Sequence, residues 1–319
     1  MTAAGPPQIA KLGHVALVTP DLETSLGFWR DVVGLEEVER HGDTAFLRAW
    51  GDREHHTLSL RAGEAAAVDH VAWRTKRPED VDAFAERLDA GGCEVTEVPA
   101  GAERGQGRAV RFASPQGHRL ELYYDVEKPP SPAAVASPLR TNSTRAWERG
   151  ISPRRIDHVN LVTTDAGACC TWLGDQLGFE MRELIRLADG TLAGGWMAVT
   201  NLVHDVAVMA DAAAPPDRFH HLAYCLDNWQ DVLRAADILR EHRVVADAGP
   251  GKHGITQAVY LYVKDPGSGH RLELFAGGYL VFDPDWEPIV WTEEELADGM
   301  SWWGPDLSTA AEMATTTSF

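Results

Sequence analysis

The chain has few cysteines and no long apolar run. Its 319 residues include four cysteines, Cys93, Cys169, Cys170 and Cys225, and no two of them form a CxxC pair. This spacing argues against a structural zinc site, and so few thiols give no basis for a disulfide framework. No apolar stretch approaches the length that a transmembrane helix needs, so we expect no membrane span.

Positive charge is also scarce. Lysine and arginine together number 29 against 48 aspartates and glutamates, which gives a net charge of −19. Such a chain would repel a phosphate backbone, so we expect neither nucleic acid nor an anionic membrane surface as a partner. The first residues, MTAAGPPQIAK, lack the basic region and apolar stretch of a secretory signal, so we expect a cytoplasmic protein. The expected partner is a small molecule.

The sequence contains an internal duplication. KLGHVALVTPDLETSLGFWRDVVGLEE, from Lys11, aligns with RIDHVNLVTTDAGACCTWLGDQLGFEM, from Arg155, at a constant offset of 144, which places His14 over His158. GHRLELYY in the first half likewise matches GHRLELF in the second. The stretch between the copies is rich in proline, alanine, serine and threonine, as is typical of a linker.

Each half repeats the order of a strand, a helix and several short strands. In the first helix, apolar residues recur at helical spacing between Asp21, which can cap its start, and Gly34, which stands just past its end. Each half thus comprises two βαβββ modules. The prediction is an α+β protein of four such modules paired into two tandem domains.

The repeat also predicts the domain boundaries. We expect an N-terminal domain over residues 1–126, a linker over 127–150, a second domain over 151–280 and a C-terminal tail over 281–319. For the tail, a lid over a pocket and a simple cover of the core are both open. Its last residues, ATTTSF, are expected to be loose.

Three residues in the second half form a candidate metal site. They are His158 in IDHVNLV, His221 in HHLAYCL and Glu273 in HRLELF. Two imidazoles and one carboxylate are a set that holds a redox-active divalent metal on one face and leaves its other positions open. Strand alternation favours His221 over His220, which takes the place that Asp157 has in the earlier strand. The pattern indicates an oxygen-activating metal enzyme.

Over roughly residues 10–303 the chain resembles type I extradiol dioxygenases of the vicinal oxygen chelate superfamily, above all catechol 2,3-dioxygenases. The resemblance rests on the candidate metal ligands together with TNLVHDVAV, GPGKHGITQAVYLYVKDP and GGYLVFDPDWEPIVW. It implies a silent N-terminal domain and a catalytic C-terminal domain. It also implies cleavage of a catechol by O2 to a 2-hydroxymuconic semialdehyde, in aromatic-compound degradation. The metal is most often Fe(II) and sometimes Mn(II), and relatives are commonly homotetramers.

The resemblance also implies roles for individual residues. His204 would be the acid–base group, while His253 and Tyr262 would hydrogen-bond to the substrate oxygen and to the reacting oxygen. Asn160 shares a strand face with His158, although a polar bridge between strands would explain it equally well. The full implied set is the metal ligands His158, His221 and Glu273; the catalytic residues His204, His253 and Tyr262; and the substrate contacts Asn160, Trp196 and Thr256.

The first half carries residues equivalent to the triad, namely His14, His70 and Glu121. A second metal site is therefore compatible with the ligands alone. However, Arg111 falls where Tyr262 stands in the other copy. A cation there would oppose a divalent metal and could instead pair with Glu121. We expect a structural role for this cluster.

The chain also resembles homoprotocatechuate 2,3-dioxygenases, in which one arginine just before GPG and another just before WWG pair with the substrate carboxylate. Here Ala248 and the stretch 299–301 replace them. A buried carboxylate without such a partner is costly, so we expect a neutral catechol or alkylcatechol as the substrate. The alternatives are 3,4-dihydroxyphenylacetate as the substrate, a non-oxidative metal-dependent isomerase of the same superfamily, and a small-molecule binding protein.

Overall fold

A computed structural model of the chain describes residues 5–307 and 315–319. Two mixed β-sheets, one in each half of the chain, pack against the helices in a common core. None of the helices in these ranges is both long and apolar enough to span a bilayer.

The N-terminal sheet has eight strands in the spatial order β2-β3-β4-β1-β5-β8-β7-β6. They are β1 (Ile9–Thr19), β2 (Glu36–His41), β3 (Thr44–Arg48), β4 (Leu58–Ala62), β5 (Ala67–Thr75), β6 (Thr96–Val98), β7 (Ala109–Ala113) and β8 (Arg119–Tyr123). The helices of this half are α1 (Leu22–Leu26), which continues as a π-helical turn over Gly27–Val32, and α2 (Glu79–Ala90).

The C-terminal sheet follows the order β14-β15-β16-β13-β9-β12-β11-β10-β17, with β18 paired to β13. Its strands are β9 (Arg155–Thr163), β10 (Glu180–Arg186), β11 (Leu192–Ala198), β12 (Val206–Ala210), β13 (Arg218–Cys225), β14 (Ala246–Lys252), β15 (Ala258–Lys264), β16 (Arg271–Gly277), β17 (Ile289–Thr292) and β18 (Thr317–Ser318). Its helices are α3 (Ala166–Trp172), extended by a π-helical turn over Leu173–Leu177, α4 (Trp229–Glu241), a 3-10 turn over Glu293–Glu295 and α5 (Leu296–Met300).

The element order confirms the predicted fold class. Each half consists of two βαβββ modules, and the first strands of the two modules pair antiparallel at the centre of the sheet, β1 with β5 and β9 with β13. Both β1 and β9 are buried along almost their whole length. These central strands place their alternate residues on the concave face of each sheet.

The first helical segment of each half begins and ends with the predicted aspartate and glycine. The Asp21 side chain accepts a backbone N–H of the first turn at 3.1 Å, and Asp165 does so in the second copy at 2.9 Å. Gly34 and Gly178 close these segments with φ angles of 91° and 78°, a region that favours glycine. The helical spacing of the apolar residues did not predict the π-helical turn before each glycine.

The two halves share one hydrophobic core. A single cluster of buried side chains includes residues from both sheets and from α1, α2, α3 and α4. At the junction, Trp73 of the first half meets Phe179 of the second edge to face, with ring centroids 4.9 Å apart. Aromatic contacts of this kind bury large apolar areas, so they stabilise the two halves against each other.

The segment over residues 127–150 contains one isolated bridge and no regular element. It packs on the first half, where the Arg48 guanidinium donates to the Pro129 carbonyl at 3.0 Å. The loose end predicted for the tail is wrong, because Thr317 and Ser318 pair with β13 as strand β18. Residues 308–314, also part of the predicted tail, lie outside the described residues.

Candidate metal centre

The three predicted ligands lie on neighbouring strands of the C-terminal sheet. His158 is on β9, His221 on β13 and Glu273 on β16, and these strands are adjacent in the order β16-β13-β9. In register, His221 pairs with Asn160 and Glu273 pairs with Ala223. All three side chains are buried. Residues far apart in sequence thus meet because the two first strands of the modules pair at the centre of the sheet.

The ligand atoms of these residues lie close together. The Nε2 atoms of His158 and His221 are 3.3 Å apart, and Glu273 Oε2 lies 2.9 Å and 3.1 Å from them. Metal bonds of about 2.1 Å at right angles would place ligand atoms about 3 Å apart. The donor set and its spacing therefore fit one face of a divalent metal ion. The cavity beside this face leaves room for further ligands.

A neighbouring carboxylate orients the first ligand. His158 Nδ1 lies 2.9 Å from Asp157 Oδ1 and donates to this carboxylate, while Nε2 faces Glu273 and would be the ligand atom once a metal displaces its proton. Burial opposes protonation of His158, but hydrogen bonds to Asp157 and Glu273 outweigh it and raise its pKa to about 9. Such a carboxylate behind a histidine fixes its tautomer and strengthens it as a ligand. The Asp-His pair recurs in the first half, which was a sequence signal for this role.

The pKa values of the other two candidate ligands are both lowered. Burial lowers the pKa of His221 to about 4, so its ring is neutral at neutral pH. Burial raises the pKa of Glu273, but hydrogen bonds from His158, His221 and His253 outweigh it and hold the pKa well below its usual range. A neutral imidazole and an ionised carboxylate are the forms that bind a metal.

His204 lies beside the triad in the loop that leads into β12. Its ring centroid is 4.0 Å from that of His158. Burial, followed by the proximity of His158, lowers the pKa of His204 well below its ordinary value. Within the described ranges, its buried Nδ1 has no hydrogen-bond partner. The ring is therefore neutral at neutral pH, and one of its nitrogens can accept a proton.

His253 and Tyr262 are connected by one hydrogen bond. His253 Nδ1 lies 2.6 Å from the Met300 carbonyl and donates to it. The Tyr262 hydroxyl lies 3.1 Å from His253 Nε2, within hydrogen-bond distance. Burial and the nearby Glu273 carboxylate raise the pKa of Tyr262 well above its ordinary value, so the phenol keeps its proton. Tyr262 faces the same cavity because it pairs with Glu273 across β15 and β16.

The predicted substrate contacts line the same cavity. Asn160 extends from β9, and Trp196 from β11, while Thr256 follows His253 in the loop before β15. Asn160 Oδ1 is buried without a hydrogen-bond partner among the described residues. Within residues 5–307 and 315–319, no lysine or arginine lines the cavity. A bound ligand could thus satisfy the unpaired oxygen of Asn160, while no lysine or arginine of the described lining could pair with an acidic substituent.

The C-terminal tail forms one wall of this cavity. The backbone N–H groups of Gly254 and Ile255 donate to the Gly299 carbonyl at 3.0 Å and 2.9 Å. The Trp302 N–H donates to the Lys252 carbonyl at 2.7 Å. Gly299 and Met300 both line the cavity. The tail is therefore joined through its backbone to the loop that carries His253.

Sequence reasoning missed Glu183, a buried carboxylate on β10. It accepts hydrogen bonds at 2.7 Å from the Thr256 N–H, the Tyr279 hydroxyl and the Trp291 indole N–H. It thus links the cavity loop to the tail. A lone glutamate in a polar strand segment carries no sequence signal of this function, because all three donors are distant in the chain.

The equivalent residues of the first half also come together. His14 Nε2 and His70 Nε2 are 3.0 Å apart, and Arg111 Nε lies 2.5 Å from Glu121. The predicted pairing of Arg111 with Glu121 is confirmed. Sequence reasoning missed Glu103, whose carboxylate lies 3.1 Å from His14 and 2.8 Å from Arg111. Four of these side chains, His14, His70, Glu103 and Glu121, bring ligand atoms within 4.8 Å of one another.

Comparisons with known proteins agree with this geometry. Residues 68–127 match the model of the catechol 2,3-dioxygenase-like N-terminal domain, and residues 155–274 match that of the Glyoxalase/Bleomycin resistance protein/Dioxygenase superfamily. The chain is 61% identical to a manganese-dependent 2,3-dihydroxybiphenyl 1,2-dioxygenase of Geobacillus genomosp. 3, over 97% of this chain and 98% of that protein. It is 36% identical to a metapyrocatechase of Geobacillus stearothermophilus, over 93% and 90% of the two chains.

A solved structure shows the same architecture. The homoprotocatechuate 2,3-dioxygenase of Arthrobacter globiformis superposes with a TM-score of 0.88 at 31% identity, over 99% of this chain and 94% of that one. None of the three relatives named above is an isomerase or a binding protein. The chain therefore belongs to the type I extradiol dioxygenases, metal-dependent oxidoreductases of the vicinal oxygen chelate superfamily with a His/His/Glu metal site.

Proposed function

We propose that the enzyme opens the ring of a catechol without an acidic substituent, next to the diol, and adds both atoms of O2. The observation that carries this proposal is the cavity beside His158, His221 and Glu273, whose described lining contains no lysine or arginine. Catechol, alkylcatechols and, from the name of the Geobacillus genomosp. 3 relative, 2,3-dihydroxybiphenyl are the candidate substrates. Because an acidic substituent would be buried without a partner, 3,4-dihydroxyphenylacetate is the weaker candidate.

In this proposal His158, His221 and Glu273 hold the metal. The sequence favours Fe(II) with Mn(II) as the alternative, and the manganese-dependent relative supports Mn(II). When bound, either ion would favour the deprotonated diol and bring O2 next to the ring. Asp157 keeps His158 Nε2 directed at the ligand position, as a second-layer carboxylate does in other metal sites.

His204 then acts as the acid–base group. Its neutral ring accepts a proton from the diol and returns it when the bond between the two oxygen atoms breaks. Burial lowers the pKa of His204, so at neutral pH its ring is unprotonated and has a nitrogen available for the proton. His204→Phe should therefore retain the metal and lose most of the turnover.

His253 and Tyr262 hold substrate and oxygen in place. The Tyr262 hydroxyl keeps its proton at neutral pH, so it can donate a hydrogen bond to a reacting oxygen, and His253 lies 3.6 Å from Glu273 at the mouth of the site. Asn160 and Thr256 supply polar contacts, and Trp196 lines the cavity as an apolar wall. These assignments make the C-terminal half catalytic and the N-terminal half, up to residue 126, non-catalytic.

The test is an aerobic assay on the metal-loaded protein. Catechol should give the yellow ring-opened semialdehyde with Fe(II) or Mn(II), and Glu273→Gln should abolish both metal binding and product. Glu287→Gln, an exposed glutamate of the tail, is the matched control and should behave as the wild type. The proposal fails if neither ion supports formation of the yellow product. A homo-oligomer, which the resemblance implies, is also proposed, and light scattering would measure its mass.

A further inference from the structure

The cluster in the N-terminal half repeats the backbone positions of the catalytic triad. His70 pairs with Ala16 in register, as His221 pairs with Asn160, and each partner stands two residues after a histidine of the first strand. Glu121 pairs with Ala72 as Glu273 pairs with Ala223. The first half therefore keeps the backbone of a metal site, and its imidazole nitrogens are as close as those of the triad.

The difference lies in the residue opposite the carboxylate. Tyr262 stands across from Glu273, and Arg111 stands at the same register position across from Glu121. A phenol is neutral, whereas a guanidinium carries a permanent positive charge and presents several N–H donors in a fixed plane. The exchange brings a cation into the centre of this cluster.

Arg111 uses these donors on both carboxylates. Its Nε lies 2.5 Å from Glu121 Oε2, and its Nη2 lies 2.8 Å from Glu103 Oε2. The other oxygen of Glu121 accepts from the Gln106 amide at 2.6 Å. Glu121 is fully buried, and each of its two oxygens already accepts a hydrogen bond from one of these side chains. A metal ion would have to displace at least one of these donors.

Charge leads to the same result. Glu103 and Glu121 together carry two negative charges within reach of one guanidinium, and a divalent ion placed beside Arg111 would meet a like charge at close range. In the C-terminal cluster no arginine or lysine lines the equivalent cavity within the described residues. The two halves thus differ in the charge at the site, although their candidate ligands occupy equivalent positions.

We propose that in the N-terminal half the Arg111 side chain takes the place of the metal ion. This half therefore contains a latent metal site, which the Arg111 guanidinium keeps closed to divalent ions. Glu103, which has no ligand counterpart in the triad, would serve with His14, His70 and Glu121 as a fourth ligand once Arg111 is removed. Its carboxylate already lies 3.1 Å from His14 and 3.4 Å from His70.

The test counts manganese ions bound per chain, by elemental analysis of the intact protein after loading with Mn(II) and removal of the excess. Arg111→Met should bind one ion more than the wild type, whereas Arg111→Lys, which keeps a cation, should bind the same number as the wild type. Arg111→Met combined with Glu121→Gln should return to the wild-type count. Because Arg111 is outside the catalytic half, turnover of catechol should be unchanged in the single variants.

A second arm does not depend on the folding of an Arg111 variant. Glu273→Gln in the otherwise intact chain should bind no ion, because the latent site stays closed. An ion that this variant retains, and that is lost when Glu121→Gln is added, would overturn the proposal, since it would lie in the N-terminal half. Equal counts for the wild type and folded Arg111→Met would also overturn it. If Arg111→Met does not fold, Arg111→Gln takes its place with the same expected gain of one ion.

Discussion

His118 and His270 make equivalent hydrogen bonds between the two halves, each to a backbone carbonyl of the other half. His118 Nε2 donates to the Val162 carbonyl at 3.1 Å, and His270 Nε2 donates to the Val18 carbonyl at 2.9 Å. Both rings are fully buried. Each histidine belongs to the GHRLEL segment of its own half, so the duplication produces a reciprocal pair of bonds at the junction.

Loss of either bond should destabilise the fold. We expect His118→Ala and His270→Ala each to lower the free energy of unfolding by about 1–3 kcal/mol or more, because a buried carbonyl loses its donor. Urea denaturation would measure the change. His41→Ala, an exposed histidine on β2, is the control and should change stability little. Wild-type stability in both junction variants would contradict this reading.

The same pair should make stability depend on pH. Burial lowers the pKa of both His118 and His270. The unfolded chain, with histidine pKa values of about 6.5, then binds these protons more readily than the folded chain. The stability that the two neutral histidines contribute is therefore fully present above about pH 6.5 and is lost as the pH falls below that value. The double alanine variant should show a shallower loss between neutral and mildly acidic pH than the wild type, and equal slopes would refute the prediction.

Asp157 should control metal affinity without being a ligand. Asp157→Asn weakens the acceptor behind His158 Nδ1, so we expect the dissociation constant for Mn(II) to rise about 10–100-fold. Competition with a chelator would measure it. Asp227→Asn removes a comparable ion pair with Arg154 at the surface and should leave the affinity unchanged. An unaltered constant for Asp157→Asn would show that the carboxylate does not support the ligand.

The tail should affect substrate binding through Glu183. Trp291→Phe removes one of the three donors to this carboxylate and loosens the wall that Trp291 forms beside Ile255 and Gly299. We expect a several-fold increase of KM for catechol, with the metal content unchanged. Trp286→Phe is the matched control, because its indole donates to the Arg182 carbonyl and not to Glu183. Equal KM values in both variants would exclude the coupling.

Substrate preference should follow the charge of the ring substituent. Because no lysine or arginine belongs to the described lining of the cavity, kcat/KM for 3,4-dihydroxyphenylacetate should be at least about tenfold below that for catechol, equivalent to about 1.4 kcal/mol. Steady-state oxygen consumption with the two substrates measures the ratio. A higher value for the acid would require a cationic group that the cavity does not present.

The parts of the structure that repeat in sequence were predictable. The duplication predicted the four modules, and strand alternation predicted that His221 and not His220 would lie beside His158. In the first half, the position of Arg111 was enough to predict its contact with Glu121, because cross-strand neighbours keep their register when a module is copied.

Residues whose partners come from distant, unrepeated segments were not predictable. Glu103 lies in a loop whose counterpart carries His253, so the alignment of the two halves gave no ligand there. Glu183 depends on Tyr279, at the end of the second domain, and on Trp291 of the tail, and the tail has no copy in the first half. The end of the tail was expected to be loose because its composition is small and polar, yet β18 finds backbone partners on β13.

Labelling with 18O2 shows directly whether the enzyme opens the ring next to the diol and adds both atoms of O2. The metal-loaded enzyme would be supplied with catechol under 18O2, and the product reduced at once so that its aldehyde oxygen does not exchange with water. The account predicts a ring-opened product that carries two 18O atoms, one in the carboxylate and one in the former aldehyde. A product with one label or none, or cleavage between the two hydroxylated carbons to give a dicarboxylate, would contradict it.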